Sequence, residues 1–274
     1  MLFTLSPNLQ LVKGDFSANG FVVIDNLLRE SELLSLVHLA GKLESLQLVS
    51  GTTIWPWVWR FASNKTEGAL VAEDQSRKER IQGLVDRNYS RDPNADISIH
   101  YSYYSIRPCE QKAPERSEFD QNNHALCMRS QMTTAEKPCD LCDFGRFLLS
   151  ADFRAFIQSN LEIKILSDQR LSYAMTKYTK DSFISPHTDQ SDSPRYLLTF
   201  ILYLNQYWDP NWGGTLDVAS KDGTWHKIEP VANRLVLFKP NEHTFHRVNR
   251  TTEFSPKARY AISGWFLGPD KSLS

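Results

Sequence analysis

The chain has 274 residues, of which 41% are hydrophobic and 23% charged, so it is long enough and apolar enough for one globular domain with a full core. Its 31 basic and 32 acidic residues give a net charge of −1, which argues against a polyanion-binding surface and so against nucleic acid as a partner. No apolar run approaches the roughly 18 residues needed to cross a bilayer, no signal peptide is recognised, and four cysteines do not suggest a disulfide framework, so we expect a cytoplasmic protein without membrane contact.

The first predicted elements are a strand, a turn and a helix. Residues 20–25 form a short β-branched apolar run, and a helical pattern follows from residue 30. The apolar positions of that helix fall at i, i+3, i+4 and i+7, on one face: Leu33, Leu36, Val37 and Ala40. Gly41 is a candidate for its end.

The middle of the chain alternates between clear elements and polar stretches. Residues 96–106 are rich in β formers and predict a strand, whereas the apolar stripe over residues 144–160 predicts a helix. Residues 108–143 are polar and predict a long insertion. Three tryptophans at period two precede the strand and indicate either a sheet-packing strand or an aromatic wall facing a substrate: Trp55, Trp57 and Trp59.

After residue 170 the pattern becomes that of a β domain. Five short apolar runs are separated by polar turns: 171–178, 196–204, 214–218, 235–239 and 259–266. Such spacing is typical of a β-sandwich or barrel. We therefore predict a mainly β fold with flanking helices, whose core is a double-stranded β-helix (jelly-roll, cupin-like). Residues 171–268 would form the catalytic core and residues 1–170 its support, within one domain spanning residues 1–274.

A candidate metal site lies within this β region. His187 and Asp189 are two residues apart, so their side chains project to the same face of an extended segment. His246 follows 59 residues after His187. Two imidazoles and one carboxylate form a facial triad that suits non-haem Fe(II), because it leaves positions open for a bidentate cosubstrate and O2. A His-x-Asp pair alone is a weak signal, so the surrounding motifs decide.

Seven motifs in order resemble the prolyl-hydroxylase-type, or prolyl 4-hydroxylase-like, branch of the Fe(II)- and 2-oxoglutarate-dependent oxygenases. They are Tyr178–Asp189, Phe200–Asn205, Trp208–Asp209, Gly213–Leu216, Asn233–Phe238, His246–Val248 and Arg259–Phe266. The resemblance covers about the last 100 residues, with a fainter echo in residues 20–28.

The resemblance implies roles for individual residues. His187, Asp189 and His246 match the iron ligands, which are also the catalytic centre. Arg259 matches the arginine that pairs with the distal carboxylate of 2-oxoglutarate, a role that suits a planar guanidinium because it can donate two charge-assisted hydrogen bonds. Tyr203 matches a tyrosine that binds the same carboxylate, and Tyr178 resembles another tyrosine that contacts the cosubstrate.

Two other histidines lie in the β region. His243 competes with His246 for the third ligand position, but His246 is favoured because it is followed by Arg-Val and lies thirteen residues before Arg259. His243 is then interpreted as a loop histidine or one that contacts a ligand. His226 follows Trp225 in a predicted exposed hairpin and is interpreted as a surface residue.

The resemblance implies a dioxygenase that hydroxylates an unactivated C–H bond, consumes 2-oxoglutarate and O2 and releases succinate and CO2, with ascorbate as a candidate reductant. Asp189 argues against a halogenase, in which a small residue replaces the carboxylate. We rank a small molecule or amino acid first as substrate, because the insertion could enclose it. The alternative is a prolyl residue of a protein or peptide, and a catalytically silent cupin-like binding module is the third hypothesis.

The insertion also holds a candidate zinc site. His124 and Cys127, together with Cys139 and Cys142, have the spacing of two metal-binding pairs. Ordinary thiols and redox-active cysteines remain as alternatives, because the residues between the pairs carry no recognisable ordering signal.

Overall fold

The structure, a computed structural model, describes residues 3–14, 16–42, 47–54, 98–106, 108, 140–163, 165, 169–189, 196–220, 222–241, 244–252, 255 and 257–268. The predictions for several side chains lie outside these residues: Trp55, Trp57, Trp59, His124, Cys127, Cys139 and His243. None of the helices in the described ranges is long and apolar enough to cross a membrane.

The described residues form four helices: α1 (Phe16–Asn19), α2 (Glu30–Lys42), α3 (Asp140–Leu148) and α4 (Ala151–Leu161). They also form the strands β1 (Gln10–Lys13), β2 (Phe21–Asp25), β3 (Gln47–Ile54), β4 (Ser98–Ile106), β5 (Arg170–Tyr178), β6 (Phe183–His187), β7 (Tyr196–Tyr203), β8 (Leu216–Ala219), β9 (Trp225–Ile228), β10 (Leu235–Phe238), β11 (His246–Val248) and β12 (Arg259–Leu267).

The strands pair antiparallel in the order β1-β2-β10-β7-β12-β5-β4-β6-β11-β8-β9, with β3 on the side of β4. The path turns at β4, which pairs with β5 over residues 104–106 and with β6 over residues 101–102. A larger sheet, β1-β2-β10-β7-β12-β5, therefore faces a smaller sheet, β6-β11-β8-β9. This arrangement confirms the predicted mainly β, jelly-roll fold with flanking helices.

Two apolar cores lie on the two faces of the larger sheet. Alternation along β7 sends Leu198, Phe200 and Leu202 to one core and Ile201 and Tyr203 to the other. The first core lies under the helices and includes the buried stripes of α2, α3 and α4. The second lies between the two sheets, and we call it the interior of the jelly roll.

The helical pattern predicted over residues 144–160 is two helices. α3 ends at Leu148, and Ser150 begins α4 as its N-cap, with an extended backbone and a side chain that accepts a hydrogen bond from Phe153 N at 3.2 Å. The apolar stripe spans the break because both helices pack on the same core. In α2, Gly41 lies inside the last turn, since the helix ends at Lys42.

Gly145 is required where α3 approaches the sheet. A Cβ at this position would lie 2.1 Å from the Tyr173 hydroxyl and 2.6 Å from its ring. That hydroxyl donates to Leu141 O at 2.9 Å, which limits how far it can move. We therefore expect Gly145→Ala to lower the free energy of unfolding by about 2 kcal/mol through overpacking.

The matched control is Gly41→Ala in α2, where an added Cβ would meet nothing within 4 Å. There the higher helix propensity of alanine should raise stability by about 0.5–1 kcal/mol. Chemical denaturation of both variants measures the difference. Equal effects of the two substitutions would contradict the close packing of α3 on β5.

Candidate metal centre

The smaller sheet brings the two histidines of the triad together. His187 is the last residue of β6, His246 is the first of β11, and the two are register partners. Asp189 follows two residues after His187. One possible ligand atom from each residue lies within 4.8 Å of the others. The His187 Nε2 atom lies 3.5 Å from Asp189 Oδ1, and His246 Nε2 lies 3.5 Å from Asp189 Oδ2.

Each imidazole is oriented by its surroundings. His187 Nδ1 lies 2.9 Å from Ser185 O, and a proton donated there leaves the lone pair on Nε2 facing the triad. The His246 ring packs between two rings, with its centroid 4.1 Å from that of His187 and 4.5 Å from that of Phe238. Both Nε2 atoms therefore face the carboxylate of Asp189.

Asp189 is held by the larger sheet. Its Oδ2 atom accepts hydrogen bonds from Thr199 Oγ1 and from Trp265 Nε1, both at 2.8 Å. Burial acts to raise the pKa of Asp189, but the charge of His246, the contact with His187 and the bond from Trp265 together hold that pKa well below its usual range. The carboxylate is therefore ionised at neutral pH.

The donor set fits a divalent transition metal. Burial, with a smaller contribution from His187, lowers the pKa of His246 to about 4, so this imidazole is neutral at neutral pH. A metal ligand must be a neutral imidazole or an ionised carboxylate, and both conditions are met here. Two nitrogens and one oxygen on one side of a site are the donor set that suits non-haem Fe(II).

A buried arginine lies in the interior of the jelly roll. Arg259 begins β12, pairs in register with Tyr178 and is 1% exposed. Its guanidinium carbon lies 4.7 Å from the ring centroid of Tyr178 and 4.9 Å from that of Tyr203. Both tyrosines belong to the same apolar cluster as Phe238, the residue that packs on His246.

Several buried polar atoms around Arg259 have no hydrogen-bond partner among the described residues. Its Nε and Nη2 atoms and the Tyr203 hydroxyl are buried without a partner, and no ion pair to Arg259 is found within the described ranges. Burial raises the pKa of both Tyr178 and Tyr203, so both phenols keep their protons. Unpaired buried donors around a buried cation fit a small carboxylate, which would satisfy them.

The close approach at Arg259 depends on a glycine turn. Gly214 has a positive φ of 66°, and a Cβ there would lie 3.1 Å from Arg259 Cδ and 3.1 Å from the Trp208 ring. The Trp208 indole donates to Gly213 O at 2.9 Å and so fixes the turn. Gly214 is thus explained by the space that Arg259 and Trp208 occupy. At Gly213, by contrast, a Cβ would lie 2.1 Å from Arg250 O.

The six site residues predicted from the sequence fall into two groups in one interior: the triad His187, Asp189 and His246, and the Arg259, Tyr203 and Tyr178 group. His226 lies on β9 in a hairpin with β8, as expected. It is partly buried rather than exposed, with its ring 5.0 Å from that of Phe21. Sequence reasoning missed the roles of Thr199 and Trp265, although Trp265 lies within a motif that carries the resemblance.

Comparisons with known proteins agree with this geometry. Residues 173–267 match the family model described as the 2OG-Fe(II) oxygenase superfamily. The chain is 32% identical over 130 residues to prolyl 3-hydroxylase OGFOD1 of Mus musculus, which is 45% of this chain and 23% of that protein. It is 30% identical over 129 residues to prolyl 3-hydroxylase OGFOD1 of Xenopus laevis, which covers 45% of this chain and 24% of that protein.

The aligned region therefore spans about a quarter of the length of these curated relatives. A prolyl-4-hydroxylase crystal structure from Pseudomonas putida is 26% identical with a TM-score of 0.41, covering 53% of this chain and 74% of that one. The family and sequence matches confirm the predicted resemblance to prolyl-hydroxylase-like 2-oxoglutarate oxygenases, and with it Fe(II), 2-oxoglutarate and O2 as the cofactor and cosubstrates of the class.

Proposed function

We propose that this chain, whose residues 173–267 belong to the 2OG-Fe(II) oxygenase superfamily, is a 2-oxoglutarate-dependent dioxygenase that hydroxylates a prolyl residue of a protein or peptide. One observation carries the reaction class: a His-Asp-His triad shares the interior of the jelly roll with a buried arginine whose donors are unpaired. His187, Asp189 and His246 hold the iron, and Arg259 holds 2-oxoglutarate.

The substrate class rests on the relatives. The sequence ranks a small molecule or amino acid first, because the insertion could enclose it, but most of that insertion lies outside the described residues. The two curated relatives are both named as prolyl 3-hydroxylases, which supports the prolyl alternative instead. A silent binding module has no need for a triad whose ligand atoms lie within 4.8 Å of one another, nor for a buried arginine whose Nε and Nη2 atoms are unpaired.

The triad fixes where the chemistry takes place. Bound Fe(II) supplies O2 activation coupled to oxidative decarboxylation of 2-oxoglutarate, so that one oxygen atom enters succinate and the other enters a substrate C–H bond. His187 and His246 both direct Nε2 toward Asp189, which contributes the negative charge that partly compensates the cation. The three residues come from β6, its continuation and β11, so neighbouring segments of the chain bring the ligand atoms within 4.8 Å of one another.

Arg259 fixes the orientation of 2-oxoglutarate. Its guanidinium binds the distal carboxylate, and the Tyr203 hydroxyl donates a hydrogen bond to the same group. Tyr178 lies against the guanidinium and keeps it in place, since their ring-to-cation distance is 4.7 Å. Burial of these side chains excludes water that would compete for the carboxylate, so the keto-acid end is left to face the triad.

The experiment supplies Fe(II), 2-oxoglutarate and O2 and records succinate together with the mass of the candidate substrate. Synthetic peptide pools containing proline are compared with identical pools in which alanine replaces proline, and with free amino acids. We expect succinate above background and a gain of one oxygen in proline-containing pools only. Oxygen gained by free amino acids but not by peptides would overturn the substrate class. No succinate in any reaction, together with no metal-dependent binding of 2-oxoglutarate, would favour the silent module.

A further inference from the structure

One row of the larger sheet contacts two of the three triad residues. Phe238 on β10, Thr199 on β7 and Trp265 on β12 are register partners across neighbouring strands. Antiparallel register partners project to the same face, here the interior of the jelly roll. Phe238 packs on the His246 ring, whereas Thr199 and Trp265 both donate to Asp189 Oδ2.

The two oxygens of Asp189 are therefore not equivalent. Oδ2 already accepts two hydrogen bonds from the larger sheet, each at 2.8 Å. No bond from that sheet to Oδ1 is found among the described residues. Oδ1 lies 3.5 Å from His187 Nε2, and Oδ2 lies 3.5 Å from His246 Nε2. We propose that Thr199 and Trp265 are positioning residues that anchor Oδ2 and so hold the carboxylate of Asp189 in its orientation between the two histidines. This inference rests on the proposed iron site.

The geometry of the two donors makes the anchor rigid. Thr199 is β-branched, lies in the middle of the sheet and is 4% exposed, so its hydroxyl has few alternative positions. The Trp265 ring stacks on Tyr196 with centroids 4.8 Å apart and planes 15° apart, which fixes the direction of the indole N–H. Bonds from neutral donors to an ionised carboxylate are among the stronger hydrogen bonds in proteins.

The anchor joins the two sheets at the triad. A carboxylate that was free to turn would lose its alignment with the two imidazoles. With Oδ2 held by two donors, the carboxylate stays directed at His187 Nε2 and His246 Nε2. The larger sheet thereby orients a ligand that the continuation of the smaller sheet supplies.

The test measures metal binding rather than activity. Mn(II) is titrated into metal-free wild type, Thr199→Val and Trp265→Phe by calorimetry. Removal of an outer hydrogen bond to a metal ligand typically weakens binding by roughly 10- to 100-fold, and we expect each variant to fall in that range. Thr199→Ser keeps the hydroxyl and should restore affinity to near wild type. The absorption spectrum of the Co(II) protein should change in both donor-deleted variants, because it reports the number and arrangement of ligands.

Thr176→Val is the matched control. Thr176 is also a buried threonine of the larger sheet, 4% exposed, but its hydroxyl donates to Ala261 O at 3.2 Å and not to Asp189. Metal affinity should be unchanged in this variant. Thermal unfolding of the metal-free proteins identifies any variant that has lost its fold. If Thr199→Val does not fold, Trp265→Phe provides the comparison, because Trp265 is partly exposed.

The outcomes separate the two proposals. Folded Thr199→Val and Trp265→Phe proteins that bind Mn(II) as tightly as wild type, with an unchanged Co(II) spectrum, would overturn the positioning role. Failure of wild type itself to bind Mn(II) or Co(II) would instead overturn the proposed iron site. An equal loss of affinity in Thr176→Val would assign the effect to the sheet as a whole and also overturn the proposal.

Discussion

Replacement of His187 with alanine is expected to reduce 2-oxoglutarate turnover to background. The substitution removes one of three ligands, and the remaining pair cannot hold a divalent ion against water as the triad does. The side chain of His187 lies at the end of β6 and is 12% exposed, so its loss should leave the two cores intact. Succinate formation and Mn(II) binding measured on the same preparation give the result.

His226→Ala is the matched control for this experiment. His226 lies on β9 of the same sheet and is partly buried, but it does not belong to the triad. We expect its turnover and Mn(II) affinity to equal those of wild type. Wild-type turnover in His187→Ala would show that the metal assignment is wrong, and parallel losses in both variants would point to a general effect on the smaller sheet.

Arg259→Met is expected to raise the KM for 2-oxoglutarate by about 10²- to 10⁴-fold. Two hydrogen bonds between charged groups contribute roughly 1.5–3 kcal/mol each, and each 1.4 kcal/mol corresponds to a tenfold change in binding. Methionine keeps much of the apolar stem of the arginine side chain, which reduces the cavity left behind. Mn(II) affinity should be unchanged in the absence of 2-oxoglutarate.

Arg234→Met is the matched control, because Arg234 donates to both carboxylate oxygens of Asp25 at 2.7 and 2.8 Å. Removal of this paired arginine should lower the free energy of unfolding and leave the KM for 2-oxoglutarate unchanged. Removal of Arg259 should not destabilise the metal-free protein to the same extent, because Arg259 has no ion-pair partner within the described ranges. An unchanged KM in Arg259→Met would contradict its role in binding the cosubstrate.

The sequence predicts the larger sheet well and the smaller sheet poorly. β7 and β10 are mostly buried apolar runs, whereas β5 and β12 alternate between buried and partly exposed residues. The predicted bounds of all four strands agree with the structure to within one residue. β6 and β11 carry the two histidines, and a Pro-His end or a three-residue strand gives no periodic signal. The two strands that carry the triad histidines are thus those with the weakest pattern, whereas Arg259 and the two tyrosines lie on well-predicted strands.

The candidate site shows the same division. Ordered sequence motifs predict the three ligands His187, Asp189 and His246. Arg259 is predicted because it begins a recognisable strand. The hydrogen bond from Trp265 to Asp189 joins residues 76 positions apart, and only the packing of the two sheets brings them together. A threonine within the apolar run of β7 is the one available hint, since a buried hydroxyl facing the interior needs a partner.

The central claim is that the triad binds a metal to which 2-oxoglutarate is then bound with the help of Arg259. Anaerobic calorimetric titration of 2-oxoglutarate into the protein, with and without Mn(II), tests it most directly. The account predicts tight binding with Mn(II), weak or no binding without it, and loss of the metal-dependent part in His187→Ala. Equal affinity with and without Mn(II), or no binding under either condition, would contradict it.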